Sequence, residues 1–507
     1  MTVEHLKPQT ASRSLIRDVF TLSAATALSR VLGLVRDVVI ADRFGAGAAY
    51  DAYTIAFYVP HLLRRLLAEG ALSSAFVPIF TAYLTQGKEK ACRFASNTLN
   101  LALLFFPLLI MAGIFLAPYY VPFMADGFSL EKLKLTLNLT AITFPFIGLM
   151  GIAAIFMGIL NGYNHFFAPA FAPVLFNLGV IFSALFIASF FTTPIYALAI
   201  GVLLGGLGQL FFQTPFLKSR FNYSFVLDFT DPGLKKLLAA MLPAVLGLAI
   251  FQLNVLVDNK LASRLGDGSI SALQYAIRLF QLPLGVFAAA VSSAILPRLS
   301  LAAAQANIEE LAQTLKRGIK LCAFMSLPAM AGLWALGEPI IELLFEHGNF
   351  QHQDTVKTLY ALNYYVPGLI GYALALVLTR AFYALQDTKT PVVVGAATVV
   401  LNIILDYALV EHMREGGLAL ATSIAGLFNM LLLFVRLQRR LKRDLVSPLE
   451  LLKMVAASGL MGLATYGFYA WLASWLGGEL IGVGVPVLFG LTLYFALARL
   501  GGFSQKV

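Results

Sequence analysis

Apolar runs about as long as a membrane-crossing helix, roughly 20 residues, alternate along this chain with short polar segments. They fall near residues 20 to 42, 53 to 82, 94 to 117, 136 to 160, 168 to 190 and 195 to 217. A polar stretch from Phe229 to Lys236 follows. A second series lies near 237 to 262, 271 to 297, 319 to 344, 360 to 385, 392 to 411 and 417 to 437, with a last pair near 450 to 473 and 480 to 499. The runs are too long and unbroken for barrel strands. The pattern predicts an all-α polytopic membrane protein of fourteen transmembrane helices. The expected divisions are an amino-terminal segment (1–19), a first six-helix lobe (20–228), a second (229–445), and a carboxy-terminal pair with a short tail (446–507).

Composition sharpens this picture. Hydrophobic residues make up 59% of the 507 and charged residues 12%, with a mean hydropathy of +0.81, values that exclude an ordinary soluble domain. The net charge of +10 does not indicate nucleic acid, because the cations cluster in short loops between apolar runs. With the amino terminus inside, 23 Lys and Arg fall in cytoplasmic segments and six in outer loops: Arg43, Lys132, Lys134, Arg264, Lys357 and Arg414. That bias places both termini in the cytoplasm. Cys92 and Cys322 are read as small buried hydrophobes. No small-residue cleavage site follows the amino-terminal cations, so the segment is read as retained.

The chain repeats itself. Asp37, Arg43, Gly45 and Gly47 recur as Asp258, Arg264, Gly266 and Gly268 at an offset of 221, and Pro169 recurs as Pro391 at 222. Six helices preserve orientation, so the lobes are expected to be related by a pseudo-two-fold along the membrane normal with a cavity between them. Seven cations lie within spans: Arg30, Arg36, Arg64, Arg65, Lys260, Arg278 and Arg380. The intramembrane acids are Asp37, Glu69, Asp258 and Asp406. Each such charge costs roughly 2.5 to 3.5 kcal/mol on insertion scales unless it meets water or a partner, so a polar interior with a cationic surplus is expected. Guanidinium donates two parallel hydrogen bonds and keeps its charge, which suits phosphate.

Other readings stand beside that one. Arg65 and Glu69 are spaced i,i+4 and can neutralise each other, Asp37 can hold Arg36 or Arg30, and Arg380 can snorkel to the cytoplasmic side. Asp258, Asn402, Asp406 and Thr422 fall at similar depth near the outer boundary. Their oxygens fit Na⁺, with a backbone carbonyl near Leu418 as a further ligand. The alternative is an ion pair of Asp258 or Asp406 with Lys260. His347 and His352 share an outer segment with Glu346 and Asp354, a pattern read as a solvated surface more readily than as a metal site. The last two spans carry no central charge and fit either a structural role or a groove for a lipid tail.

Several motifs stand out in the first half: Ser29-Arg30-Val31-Leu32-Gly33 with Arg36-Asp37, Phe44-Gly45-Ala46-Gly47 with Asp51, and Pro60-His61-Leu62-Leu63-Arg64-Arg65 continuing to Ala68-Glu69-Gly70-Ala71 and Ala75-Phe76-Val77-Pro78. In the second half they are Tyr275-Ala276-Ile277-Arg278-Leu279 and Phe382-Tyr383-Ala384-Leu385-Gln386-Asp387-Thr388-Lys389-Thr390-Pro391. Together these motifs resemble the MurJ (MviN) family of lipid II flippases, within the MOP superfamily. The resemblance implies transport of an undecaprenyl-pyrophosphate-linked disaccharide pentapeptide from the cytoplasmic to the periplasmic leaflet of the bacterial inner membrane, by a transporter rather than an enzyme. It implies that Arg30, Arg36, Asp37, Asp51, Arg64, Arg65, Glu69 and Arg278 line or support a central cavity, with Arg36, Arg64 and Arg278 on the pyrophosphate. It also implies a sodium site at Asp258, Asn402, Asp406 and Thr422, no other cofactor, and a monomer in transient contact with the cell-wall synthesis machinery. The chain departs from the family pattern in a longer amino-terminal extension and in Lys260 beside Asp258. The rival readings are a carrier of another polyprenyl-linked glycan, a multidrug exporter, for which a cationic core is a poor fit, and a membrane enzyme acting on the same lipid. No paired carboxylates in the cytoplasmic loops support the last.

Overall fold

The computed structural model describes residues 8–474 and 479–503, and among them every regular element is a helix. The chain forms two compact units, Met1–Gln252 and Leu253–Val507. In the first unit α1 is Pro8–Phe44, α2 Ala48–Leu63, α3 Ser73–Leu84, α4 Lys88–Met124, α5 Leu130–Thr143, α6 Phe146–Gly162, α7 Phe167–Phe182 and α8 Tyr196–Leu217. Helix α9, Pro232–Ser263, crosses from one unit into the other. The second unit continues with α10 Ser269–Pro283, α11 Ala289–Ala304, α12 Ile308–Phe345, α13 His352–Tyr365, α14 Leu369–Ala384, α15 Lys389–Leu441, α16 Pro448–Ala473 and α17 Glu479–Leu500.

Among the described residues ten helical stretches are long and apolar enough to cross a membrane. The segments carrying α1, α2 with α3, and α9 are not among them. Arg64, Arg65 and Glu69 interrupt the α2–α3 segment. One of the ten, α15, is two helices back to back. Arg414 breaks it with φ 51° and ψ −129°, and the return is so tight that a Cβ on Gly417 would lie 2.6 Å from the Leu409 carbonyl oxygen. In a continuous helix residues eight apart would be about 12 Å away along the axis.

The two halves of the sequence share their local breaks. Gly45 and Gly266 end α1 and lie beyond α9 with φ 63° and 107°, the left-handed region that glycine enters at least cost. Asn164 and Gln386, 222 residues apart, both stand at φ near 57° after α6 and α14. There the His165 and Asp387 amides reach back to the Leu160 and Phe382 carbonyls, both at 2.9 Å, the bonding that closes a helix in a Schellman turn. A π-helical stretch follows a proline in the second segment of each half: Arg64–Leu72 shortly after Pro60, and Leu284–Ala288 directly after Pro283. The one long helix expected over residues 53 to 82 is therefore broken. Proline has no N–H to donate and displaces the carbonyl four residues back, so the ladder loosens at that point. In the first unit the Thr143 hydroxyl lies 3.4 Å from the Ala56 carbonyl that Pro60 leaves uncapped.

Each unit has its own core. In the first, Phe76, Phe80, Phe94 and Phe146 pack with Ile155 and Leu198, and α7 meets α8 backbone to backbone, where a Cβ on Gly179 would be 2.5 Å from the Gly205 nitrogen. Such approach gains dispersion contacts where lipid supplies no hydrophobic drive. In the second, Leu299, Leu315, Val377 and Leu437 form one cluster. Phe324, Met454, Met461 and Tyr494 form another, which seats α16 and α17 on α12.

Candidate functional site

The cationic residues of the first unit are held by partners that lie far away in sequence. On α1 the Arg36 guanidinium gives Nε and NH2 to Asp37 Oδ1 at 3.0 and 2.7 Å and NH1 to Asn177 Oδ1 on α7 at 3.1 Å. Asn177 Nδ2 in turn donates to the Ser29 carbonyl at 2.9 Å. Three of the five guanidinium N–H groups thus have partners among the described residues, and Asp37 holds the Arg36 fork in place. Arg30 on α1 is exposed, as is Arg65 in the π-helical stretch. The neighbouring Arg64 sets its guanidinium carbon 6.0 Å from the centre of the Phe146 ring, within cation–π range. The Glu69 side chain, and with it the expected pairing to Arg65, lies outside the described residues.

Asp51, expected to line or support the cavity, is held by a partner from another helix. It is fully buried on α2 and receives Lys132 Nζ from α5 at 2.9 Å. Lys132 is itself buried, its ammonium 4.0 Å from the centre of the Phe128 ring. Sequence sorting put Lys132 among solvated outer-loop cations. A cation at a helix start carries no local sign that its counter-charge lies 81 residues earlier.

In the second unit Arg278 is exposed on α10, five residues before Pro283. The four expected sodium ligands occupy α9 and the two arms of α15. Asp258 and Asp406 face each other within hydrogen-bonding range. Asp406 and Asn402 are buried, at 0% and 2% exposure, and Thr422 is 7% exposed. One turn along α9 from Asp258, Asn254 offers Nδ2 to Asp258 Oδ2 at 3.5 Å, and Asn402 offers Nδ2 to Asp406 Oδ1 at the same distance, the outer limit of a hydrogen bond. Asp258 Oδ1, Asp406 Oδ2 and Asn254 Oδ1 are buried with no hydrogen-bond donor among the described residues. The Leu418 carbonyl accepts the Thr422 hydroxyl at 3.0 Å, an ordinary bond back along the helix, so it is already engaged. Asn254, Tyr365 and Tyr372 complete the surroundings. None of the three was singled out by spacing, because each comes from packing between helices.

The carboxy-terminal end of α12 gathers a different set. Glu342, Glu346 and His352 bring their ligand atoms within 4.8 Å of one another, while His347 turns to the Leu343 carbonyl at 3.1 Å and Asp354 caps the start of α13 through the Gln351 amide at 3.1 Å. Thr355 donates to Glu346. Of the four residues noted in the sequence, only Glu346 and His352 come together.

Ten helical stretches of membrane-crossing length, with guanidinium groups in both units and a donor-poor carboxylate pair in the second, define a polytopic membrane protein with polar groups among its helices. In fold alone, an inward-facing multidrug resistance MATE transporter of the MOP superfamily aligns at a TM-score of 0.70 over 84% of this chain and 98% of that one, at 17% identity. A solved structure described as lipid II flippase MurJ in an inward closed conformation aligns at a TM-score of 0.81 and 31% identity, covering 94% of this chain and 98% of that one. The family model for lipid II flippase MurJ matches residues 40–485. A Vibrio cholerae protein described as a probable lipid II flippase MurJ is 38% identical over 436 residues, 84% of this chain and 83% of that protein. The chain belongs to the MurJ family of lipid II flippases. It is a multi-pass protein of the inner membrane.

Proposed function

We propose that this chain is a lipid II flippase that carries the pyrophosphate-linked precursor from the cytoplasmic to the periplasmic leaflet. The observation that carries this reading is the family match along residues 40–485, which includes the guanidinium positions on α2–α3 and α10; Arg30 and Arg36 on α1 precede it. Arg36, Arg64 and Arg278 grip the pyrophosphate in a cationic cavity, and Arg30 and Arg65 add to the positive field. Asp37 and Asn177 fix the Arg36 fork so that less rotamer entropy is lost when the anion arrives. Substrate moves by alternating access, and the polyprenyl tail stays in lipid along α16 and α17, whose outward faces present Leu463, Tyr466 and Leu488. The chain crosses the membrane fourteen times with both termini in the cytoplasm, a reading supported by the 23-to-6 division of loop cations in the sequence. The chain acts as a monomer that meets the cell-wall synthesis machinery transiently.

The same reading assigns Na⁺ to Asp258, Asp406, Asn402 and Thr422. The residues fit: the buried Asp406 and the half-buried Asp258, each with a buried oxygen lacking a donor among the described residues, are the hard oxygen ligands a small cation takes. The ion would offset their mutual repulsion and so link the α9 and α15 arms.

The test is a leaflet assay on reconstituted protein with lipid II. Arg278→Ala should abolish flipping while leaving membrane insertion intact. Wild-type rates in that variant remove Arg278 from the mechanism, and movement of a different polyprenyl-linked glycan in preference to lipid II overturns the substrate.

A further inference from the structure

The segment joining α8 to α9 is no free tether. From residue 219 to 231 it lies against the first turns of α4 and the end of α3, held by side chains that α4 presents in sequence. Lys88 donates to the Ser219 carbonyl at 2.9 Å, and Cys92 Sγ accepts the Asn222 amide at 3.5 Å. Ser96 Oγ accepts the Ser224 amide at 3.1 Å, and Asn100 Nδ2 donates to the Val226 carbonyl at 2.8 Å. Asn97 binds both backbone groups of Asp228, at 2.7 and 2.8 Å. Asp231 closes the segment through the Tyr83 hydroxyl at 3.0 Å and the Gly233 amide at 2.7 Å. The polar row Ser96, Asn97 and Asn100, which is buried on a helix otherwise rich in Leu and Phe, exists to hold this strap.

Pinned in this way the strap has no helix, and its side chains alternate. The backbone groups of residues 222, 224, 226 and 228 turn toward α4. Tyr223, Phe225, Leu227 and Phe229 are 55%, 81%, 45% and 56% exposed. A period of two is the signature of an extended segment with one apolar face, and three aromatic rings in four positions are what the headgroup boundary of a bilayer selects. Tyr223 shows the amphipathic form of that anchor: its hydroxyl is fixed to Asn100 Oδ1 at 2.8 Å while most of its ring is bare. Exposed cations flank the row, Lys88, Lys90 and Arg93 on α4 and Lys218, Lys235 and Lys236 on the strap and α9. Of the acids beside them, Asp228 is bonded by Thr230 and Asp231 by Tyr83, while Glu89 is exposed between Lys88 and Lys90 and leaves the row net positive. The depth is consistent, because residues 88 to 100 of α4 cover roughly 18 Å from the polar helix start into its apolar run. Backbone in hydrocarbon must be satisfied internally, and only one edge of the strap is bonded to α4, which suits the boundary and excludes the bilayer centre.

We propose that this strap is an interfacial membrane anchor: Tyr223, Phe225, Leu227 and Phe229 seat in the acyl–headgroup boundary of a phospholipid leaflet, with the flanking lysines and Arg93 on lipid phosphates. Only the naming of that leaflet as the cytoplasmic one rests on the orientation proposed above. The strap thereby ties the first unit to the membrane surface at the point where the chain passes toward the second. The experiment is nitroxide scanning of full-length protein in phosphatidylcholine–phosphatidylglycerol vesicles, one cysteine at a time at positions 222 to 229, with Cys92 and Cys322 left in place because both are buried. Phe225→Cys and Leu227→Cys should favour oxygen over a water-soluble nickel relaxant several-fold more than Asn222→Cys and Ser224→Cys do, an alternation that a merely solvated loop cannot give. Nickel access at every position overturns the proposal, and so does protection from both reagents at 225 and 227, which would mean that protein covers the row. This readout separates lipid from water whatever the transport outcome, so its failure is distinct from failure in the leaflet assay.

Discussion

The two units treat buried charge in opposite ways. In the first, Lys132 meets Asp51 and Arg36 meets Asp37 and Asn177, so the protein itself supplies the countercharge. In the second, Asp258 and Asp406 face each other and two of their oxygens have no donor among the described residues. Since an uncompensated buried charge costs several kcal/mol, the first arrangement is balanced as it stands, whereas the second shows no such countercharge among the described residues. Charge within the bilayer is thus no marker of a site until its partners are counted.

The comparison can be broken hardest at Lys132. Lys132→Met alone should destabilise the protein by about 3 to 5 kcal/mol, because Asp51 is left buried and unpaired. Asp51→Leu combined with Lys132→Met should recover most of that loss in thermal unfolding in detergent. A single variant as stable as wild type would show that the pair is solvated. Next comes the carboxylate pair. At a hundred times its dissociation constant Na⁺ should raise stability by about 2.7 kcal/mol, choline should not, and Asp406→Asn should erase the difference. Equal melting in the two salts would leave the second unit without its cation. Asn177→Ala should cost about 1.5 to 3 kcal/mol, the worth of a hydrogen bond to a charged group, and should slow flipping without abolishing it. A variant with wild-type rate and melting would mean that Asp37 alone fixes Arg36.

The smallest effect lies in the loop between α14 and α15. The Thr390 amide and hydroxyl, with Arg440 alongside, hold the Asp387 carboxyl below its ordinary range. A folded-state value below the unfolded one contributes stability that is present at neutral pH and lost as pH falls through the folded value. Asp387→Asn should therefore narrow the gap in melting temperature between neutral pH and pH near 3, and an unchanged gap would show that the loop carries no acid dependence.

Much of the fold was legible because hydrocarbon imposes a length and a polarity on every crossing. The break at Arg414 coincides with the gap between the runs ending at 411 and starting at 417, and Arg30, Arg36 and Arg278 stood out as costly residues in apolar segments. The π-helical stretches were less legible, since Pro60 and Pro283 announce a loosened ladder but not its form. Asn177, Asn254 and the Lys132–Asp51 pair were not legible at all. Their roles depend on which helix faces which, and no periodicity within one helix encodes that. The strap was hidden for the same reason: Ser96, Asn97 and Asn100 read as isolated polar residues until their backbone partners, more than 120 residues away, are seen.

The reversal at Arg414 also bears on how this protein can be cut and tagged. Its guanidinium bonds the Leu265 carbonyl at 2.6 Å, and the adjoining Glu415 accepts the Ser269 hydroxyl at 2.6 Å. A protease cleft needs several residues drawn out straight, and here helix resumes at once on either side. Trypsin should therefore pass over this exposed arginine, and an epitope inserted at the bend would have to unwind both arms before an antibody could reach it.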